Sequence, residues 1–389
     1  MIDLKGRLRQ RRLDRLYRTR PILDGPQAAE VSLDGQRYIA FCSNDYLGLA
    51  NHPAVIAAMT RGAERYGVGS GASHLICGHG RAHHELEEQL AAFTGRARAL
   101  LFSTGYMANL GALGALAQRG DRVYADRLSH ASLIDAALLA GGRFRRYPHA
   151  DTGQLQAWLR RDAPSGQRFI LTDGVFSMDG DLGPLDRLAP LARAEGAWLM
   201  VDDAHGLGVI GPGGRGALAH FGLGADEVPI LVGTLGKALG GSGAFVAGDE
   251  DLIEALIQFA RTYIYTTALP PAVACAVSAA LGLAQTESWR RERLGTLVER
   301  FQRGARQLGL AVPPLPTTAP AVPIVPLLIG AADATLTAAE ALRQRGFLIS
   351  AIRPPTVPQG SARLRITFSA GHTEEQVDRL LDALAEVLC

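Results

Sequence analysis

Apolar residues along this chain come in short runs of four to six, separated by amphipathic stretches of helical spacing, and that rhythm carries most of the fold. Residues 198–201, Trp-Leu-Met-Val, read as a buried parallel strand, because all four positions are apolar and no alternation is present. The same reading places strands at 97–102, 122–125, 168–172, 229–232 and 244–247. Helices are expected from Met107, from Ala131 and over 185–195, each following a strand. This strand-then-helix order predicts an α/β fold whose mostly parallel sheet is covered by helices on both faces. Before it, a helix over 4–18, a short strand over 37–41 and a helix over 53–66 with proline at its start are expected. After it come helices over 251–261 and 272–302. Pro313, Pro314, Pro316, Pro320, Pro323 and Pro326 then mark a boundary, since prolines at this density cannot continue a helix. Strands at 322–328, 347–351 and 364–368, with helices over 331–344 and 373–388, predict a small C-terminal α+β domain. The expected domains are a 1–50 segment of helix and short strand, a large 51–310 α/β domain and the 311–389 domain. No internal repeat is visible.

A chain of 389 residues, 47% apolar and 20% charged, suits a globular protein of two domains. Its formal charge of +2 gives no reason to expect nucleic acid. Arginines crowd the start (Arg7, Arg9, Arg11, Arg12, Arg15, Arg18 and Arg20), but Asp3 and Asp14 interrupt them, unlike a targeting presequence. No run approaches the roughly 18 apolar residues of a membrane span. Cys42, Cys77, Cys275 and Cys389 are scattered without metal or disulfide spacing, as in a reduced cytoplasmic protein.

Chemistry concentrates in two places. Thr234-Leu235-Gly236-Lys237 sets a lysine among small residues just after an apolar run. Partial desolvation there would lower its pKa and supply a neutral amine. A strand-end lysine reaching solvent from a Gly-rich turn would look the same. Upstream, Asp202, Asp203 and His205 follow the 198–201 strand, at the end where open α/β sheets bind ligands. A carboxylate there can keep a pyridinium nitrogen protonated, and the histidine can bond a phenolic oxygen. Together with Lys237 this spacing points to pyridoxal phosphate. Ser103-Thr104-Gly105-Tyr106 lies between a strand and a helix, where backbone amides suit either a phosphate or an ordinary Ser/Thr cap.

Six segments extend the pattern in order: 43–49 (Ser-Asn-Asp-Tyr-Leu-Gly-Leu), 67–71, 126–132 (Asp-Arg-Leu-Ser-His-Ala-Ser), 173–181, 201–206 and 234–237. Near the end follow 351–358 (Ala-Ile-Arg-Pro-Pro-Thr-Val-Pro) and Arg363-Leu364-Arg365. On these the chain resembles the α-oxoamine synthases among the fold-type I pyridoxal-phosphate enzymes. The resemblance implies that Lys237 carries the cofactor and moves the substrate proton. It implies that Asp202 faces the ring nitrogen, and that Ser177 and His205 meet the ring oxygen. Gly105, Tyr106 and Thr234 would hold the phosphate, with Thr266 and Thr267 reaching it from the other subunit of a homodimer with shared sites. His130 would stack on the ring and meet the substrate. Arg18, Asn44, Thr356 and Arg365 match substrate-contacting positions, although the alignment at Arg18 can slip to Arg20. Arg365 is preferred for a substrate carboxylate, and Arg363 is expected on the opposite face of its strand. The reaction so implied joins L-alanine to a pimeloyl thioester, on coenzyme A or acyl carrier protein, with loss of carbon dioxide.

Alternatives stay open at this point. A relative using glycine or serine would carry much the same motifs, and an aminotransferase would share the cofactor. Gly206-Leu207-Gly208-Val209-Ile210-Gly211 fits a dinucleotide-binding G-x-G-x-x-G. However, Asp202, Asp203 and His205 fill its turn, and Pro212 with further glycines opposes the helix it needs. His79, His83, His84 and Glu87 could suggest a metal, but a helix starting near Ala82 explains them more simply, and no metal is expected.

Overall fold

The computed structural model describes residues 2–14, 16–162, 166–314 and 320–388; Arg15, Pro316 and Cys389, singled out above, lie outside them. Helix α1 (Leu4–Leu13) buries none of its residues and stops at Asp14, whose backbone N–H bonds the Gln10 and Arg12 carbonyls, so it ends short of the expected Arg18. A hairpin, β1 (Glu30–Leu33) and β2 (Gln36–Ala40), follows. Next come α2 (Pro53–Tyr66), with proline in its first turn, and α3 (Arg81–Thr94).

The large unit is a seven-stranded sheet. It is built from β3 (Arg98–Phe102), β4 (Arg122–Asp126), β5 (Arg143–Tyr147), β6 (Arg168–Asp173), β7 (Trp198–Asp202), β8 (Ile230–Thr234) and β9 (Ala244–Gly248), in the order β3-β9-β8-β7-β6-β4-β5. Only β9 runs antiparallel to its neighbours. Helices α4 (Gly105–Leu116), α5 (Ala131–Leu139), α6 (Thr152–Arg161), α7 (Leu185–Ala194), α8 (Gly216–His220), α9 (Glu250–Phe259) and α10 (Arg261–Ile264) follow strands or turns of this sheet. Two apolar clusters form its core, one holding Leu101, Tyr124, Ile170, Val201 and Leu231, the other Leu100, Val123, Leu171, Met200 and Val232. Alternate residues of each central strand fall into different clusters, as burial on both faces demands.

Strand β5 and helix α6 were not read from the sequence. Arg143, Arg145 and Arg146 hide β5, which sits at the sheet edge where only Tyr147 is buried. The expected 272–302 helix is two, α11 (Pro271–Thr286) and α12 (Trp289–Gln307). The break at Glu287 lets Arg290 bond the Glu287 carboxylate and reach the Leu47 carbonyl at 3.0 Å.

Beyond residue 320, β10 (Ile324–Gly330), α13 (Ala332–Gln344), β11 (Phe347–Leu348), β12 (Ser350–Ile352), β13 (Ala362–Thr367) and α14 (Glu374–Leu388) complete the chain. The single strand expected over 347–351 divides at Ile349. Its first half pairs with β2 and its second with β13, so this segment stitches the N-terminal hairpin to the C-terminal sheet. No described helix is long and apolar enough to cross a membrane.

After Lys237 the backbone doubles back through Gly240, at φ +62°, where a Cβ would overlap the backbone of Leu49 and Ala50. Gly240→Ala should therefore destabilise the protein by about 2 kcal/mol or more. Thermal unfolding reads this directly, and an unchanged midpoint would contradict the close approach.

Candidate active site

Strands β4, β6 and β7 lie side by side and each ends in an aspartate: Asp126, Asp173 and Asp202. Asp173 and Asp202 are register partners across the sheet. Asp202 accepts Asn109 Nδ2 at 2.7 Å and the Ala204 N–H at 3.1 Å. Asp173 accepts the His130 N–H at 3.0 Å, and burial, with Asp202 beside it, raises its pKa well above the usual range. Asp126 accepts the Leu128 and Ala150 amides and His149. Burial alone would pull the His149 imidazole down, but its bonds to Asp126 and Asp181 outweigh that and raise it to about 10. His149 thus pins the 174–183 loop to the end of β4, its ring edge-on to Phe176.

Lys237, in the turn after β8, is half-buried, and desolvation of its amine lowers it to about 8 against the opposing pull of Asp202 and Asp173. Its Nζ lies 2.8 Å from His205 Nε2. From there a chain of bonds runs to the C-terminal sheet. His205 Nδ1 meets Tyr46 Oη at 2.7 Å, Tyr46 reaches Asn44 Oδ1 at 3.0 Å, and Arg365 donates to the same Oδ1 at 3.3 Å. Arg365 also donates through Nε to the Ser177 carbonyl at 2.6 Å. The directions are consistent: Tyr46 donates to Asn44, His205 Nδ1–H donates to Tyr46, and Nε2 keeps a lone pair for Lys237. Burial holds His205 neutral, far below its ordinary pKa.

A second chain joins Asp202 to His130. Asn109 donates to Asp202 and to Ser132 Oγ at 2.8 Å, and Ser132 Oγ lies 2.7 Å from His130 Nδ1. The Ser132 N–H also points to that nitrogen, so Nδ1 accepts and Nε2 bears the proton. Burial lowers the His130 pKa, Asp202 acting against it and Lys237 with it, which favours this neutral form. His130 lines a cavity of about 890 Å³ together with Ser177, Thr356, Arg127, Arg146 and Arg363. Thr356 also lines an adjoining 180 Å³ cavity with Arg18, while Arg20 does not.

Helix α4 starts at Gly105, two residues before the expected Met107, with Thr104 capping the Met107 amide. Gly105 and Tyr106 therefore occupy its first turn, and open space surrounds the position of a Gly105 Cβ. Tyr106 is half exposed and its hydroxyl bonds Asp135. Thr234 donates to the Gly243 carbonyl at 3.2 Å. Thr266 and Thr267 follow α10; Thr267 bridges Ser73, and its carbonyl accepts from Ser103 at 3.4 Å, within the same chain.

Arg363 is corrected. Strand residues two apart share a face, and Arg363 lies on the side of Arg365: it pairs with Asp179 as Arg365 bonds Ser177 in the same turn. Tyr46, Asn109, Ser132 and Asp173 were missed as site residues. Three lie inside quoted motifs but have ordinary structural roles on paper; the signal for Asn109 is a lone amide in an apolar helix. The dinucleotide reading fails structurally too. The Asp203 carboxylate fills the space at Gly206, and after residues 212–214 only the five-residue α8 follows.

An amine with a lowered pKa, a strand-end carboxylate bearing two N–H donors, a neutral imidazole and open space before a helix N-terminus are the donor set pyridoxal phosphate requires. The residues present fit it.

Residues 36–384 match the class I and II aminotransferase family. An 8-amino-7-oxononanoate synthase of Pseudomonas putida is 61% identical over 384 residues, 99% of this chain and 97% of that protein. The serine palmitoyltransferase of S. paucimobilis, solved with bound PLP–myriocin, superposes with a TM-score of 0.93 at 30% identity, covering 99% of this chain and 98% of that one. The 8-amino-7-oxononanoate synthase of Francisella tularensis gives 0.78 at 33% identity, over 90% and 97% of the two chains.

The two adjacent acids differ in a testable way. Asp203 is fully buried, accepts the Ala217 N–H, and burial raises its pKa to about 8, so an amide resembles its protonated form. Asp203→Asn should keep turnover within a few fold, whereas Asp202→Asn should lose at least about 100-fold with the fold intact, the scale of removing one preorganised charge. Steady-state rates alongside circular dichroism check this, and the reverse order would assign the ring-facing role to Asp203.

Proposed function

The chain belongs to the 8-amino-7-oxononanoate synthase family within the class I and II aminotransferases, and from that premise we propose that it condenses L-alanine with a pimeloyl thioester. The products are 8-amino-7-oxononanoate, carbon dioxide and free thiol, in the cytoplasmic synthesis of biotin. The observation that carries this reading is Lys237: a desolvated amine lowered to about 8, 2.8 Å from a neutral imidazole, at the carboxyl edge of the sheet.

Pyridoxal phosphate, when bound, supplies the electron sink that makes the alanine Cα–H acidic. Lys237 would hold it covalently, Asp202 would face its ring nitrogen, and Ser177 and His205 its ring oxygen. The first-turn amides at Gly105 and Tyr106, with Thr234, would take the phosphate. Arg365, fixed by Ser177 and Asn44, is set to hold the alanine carboxylate, a group its planar fork suits. A neutral Lys237 takes the Cα proton and returns one to the product carbon. His130, which lines the cavity and bears its proton on Nε2, would donate to the thioester carbonyl as negative charge builds there. Thr356 and Arg18 line the route by which the acyl chain reaches it.

Product identification separates this reaction from its relatives. With alanine, glycine or serine and a panel of acyl thioesters, mass spectrometry should show one dominant product, from alanine and the pimeloyl group, with release of carbon dioxide. Supplying coenzyme A and acyl carrier protein forms side by side identifies the carrier. Lys237→Ala should abolish turnover and covalent attachment of the cofactor; a dominant glycine or serine product would place the chain elsewhere among its relatives.

A homodimer with shared sites is part of the same reading. Thr266 and Thr267 lie beside Ser103, and Val68, Ile76, Phe259 and Tyr265, all more than 60% exposed, lie on flanking segments that a partner would cover. Mixing a Lys237→Ala chain with one carrying Thr266→Ala and Thr267→Ala should restore activity, because one of the two sites is then intact. No rescue in a verified heterodimer would leave each site complete within its own chain.

A further inference from the structure

Four of the ten histidines fall within residues 74–84, and none of them serves the site above. Helix α3 accounts for His83, which bonds the Leu269 carbonyl and receives the Gly80 amide, but it does not account for His79. His79 precedes the helix and turns back over it, so that its ligand nitrogen, that of His84 and a Glu87 oxygen all lie within 4.8 Å of one another. His84 and Glu87, three residues apart, share one helix face. From this juxtaposition we propose that His79, His84 and Glu87 form a binding site for a divalent transition metal of the zinc type.

The surrounding contacts orient the ligands. His79 Nδ1 lies 3.0 Å from His74 Nδ1, and the pair shares one proton. With that proton on His79, its Nε2 offers a lone pair, and it is Nε2 that faces Glu87 Oε2 at 3.9 Å. His74 is stacked on Tyr263, which fixes its ring beside His79. Glu87 Oε1 accepts the Leu101 N–H at 2.9 Å, which aims Oε2 at the cluster.

Two imidazoles and one carboxylate select zinc, nickel, cobalt or copper over calcium and magnesium, which take oxygen cages. Tetrahedral zinc, at about 2.0–2.2 Å from its ligands, needs the three donors closer than they stand. The exposed His84 side chain can swing to close the gap, and Glu88, 3.3 Å from His84 Nε2, is placed to supply a fourth oxygen. The donors line a separate cavity of about 430 Å³, between α3 and β3, that shares no residue with the active-site cavity. A bound ion would fasten the 74–79 turn to α3, next to the Ser73–Thr267 bridge. This site is independent of the condensation chemistry.

The test uses holoenzyme stripped with a chelator and then titrated with Zn²⁺ alone by calorimetry, with metal content read after dialysis. Wild type should bind one Zn²⁺ per chain at this site and gain thermal stability as it does. His84→Ala, on an exposed side chain, and Glu87→Gln should each weaken that binding at least tenfold and abolish the thermal gain, while His84→Ala retains turnover. Equal affinity in wild type and His84→Ala would overturn the site, as would the absence of stoichiometric zinc in wild type. The same result in all three proteins would locate any bound zinc elsewhere.

Discussion

The active end of this molecule is organised by a row of buried carboxylates. Parallel strands β4, β6 and β7 stop at Asp126, Asp173 and Asp202, and Asp203 follows immediately, with none of the four exposed. Burying one unpaired carboxylate costs several kcal/mol, and adjacent acids raise one another's cost further. Asp173 and Asp203 meet that cost partly by a raised pKa, and all four accept donors from the loops that build the site. Asp126 recruits His149 and with it the 174–183 loop; Asp173 fixes the His130 backbone; Asp202 takes Asn109 from α4; Asp203 ties down α8 through Ala217. The loops are held in place by the need to satisfy the sheet edge.

Electrostatics then divides labour among like residues. Lys237 stands near carboxylates that would keep it charged, yet its burial wins and the amine falls to about 8. His205 cannot compete for that proton, because it is buried deeper and stands near the Lys237 amine and the Arg365 guanidinium. The line from Lys237 through His205, Tyr46 and Asn44 to Arg365 crosses from the large sheet to the C-terminal one. Arg365 and Lys237 are thus parts of one hydrogen-bonded structure, so the anion capture and proton transfer proposed for them would be coupled through it.

The buried parallel strands were legible because continuous apolar runs ending in Asp or Thr admit few other readings. Strand β5 was not, since an edge strand needs only one buried residue and its arginines resemble a loop. The division at Ile349 was invisible because both halves are equally apolar; which sheet each joins is set by partners far along the chain. Among site residues, Lys237, Asp202 and His205 stood out as charge placed after apolar runs. Asn109 and Tyr46 did not, because their work is to connect, and connection depends on which atoms meet in space. Arg363 was misplaced by a faulty strand argument, and the structure sets both arginines on one turn.

The network also limits where substrate preference can reside. A fold shared at a TM-score of 0.93 with a serine palmitoyltransferase, at 30% identity, means that this architecture serves more than one acyl chain. Residues bonded on two sides, such as Asn109, His205 and Asn44, cannot change without stranding a buried partner. The wall of the 890 Å³ cavity is freer: Arg127 and Arg146 are exposed, and residues 355–358 form a loop. Loops over a fixed scaffold are where contacts change at least cost. On the proposed function, choice of acyl group would therefore fall to that wall, and the chemistry common to the family to the buried network beneath it.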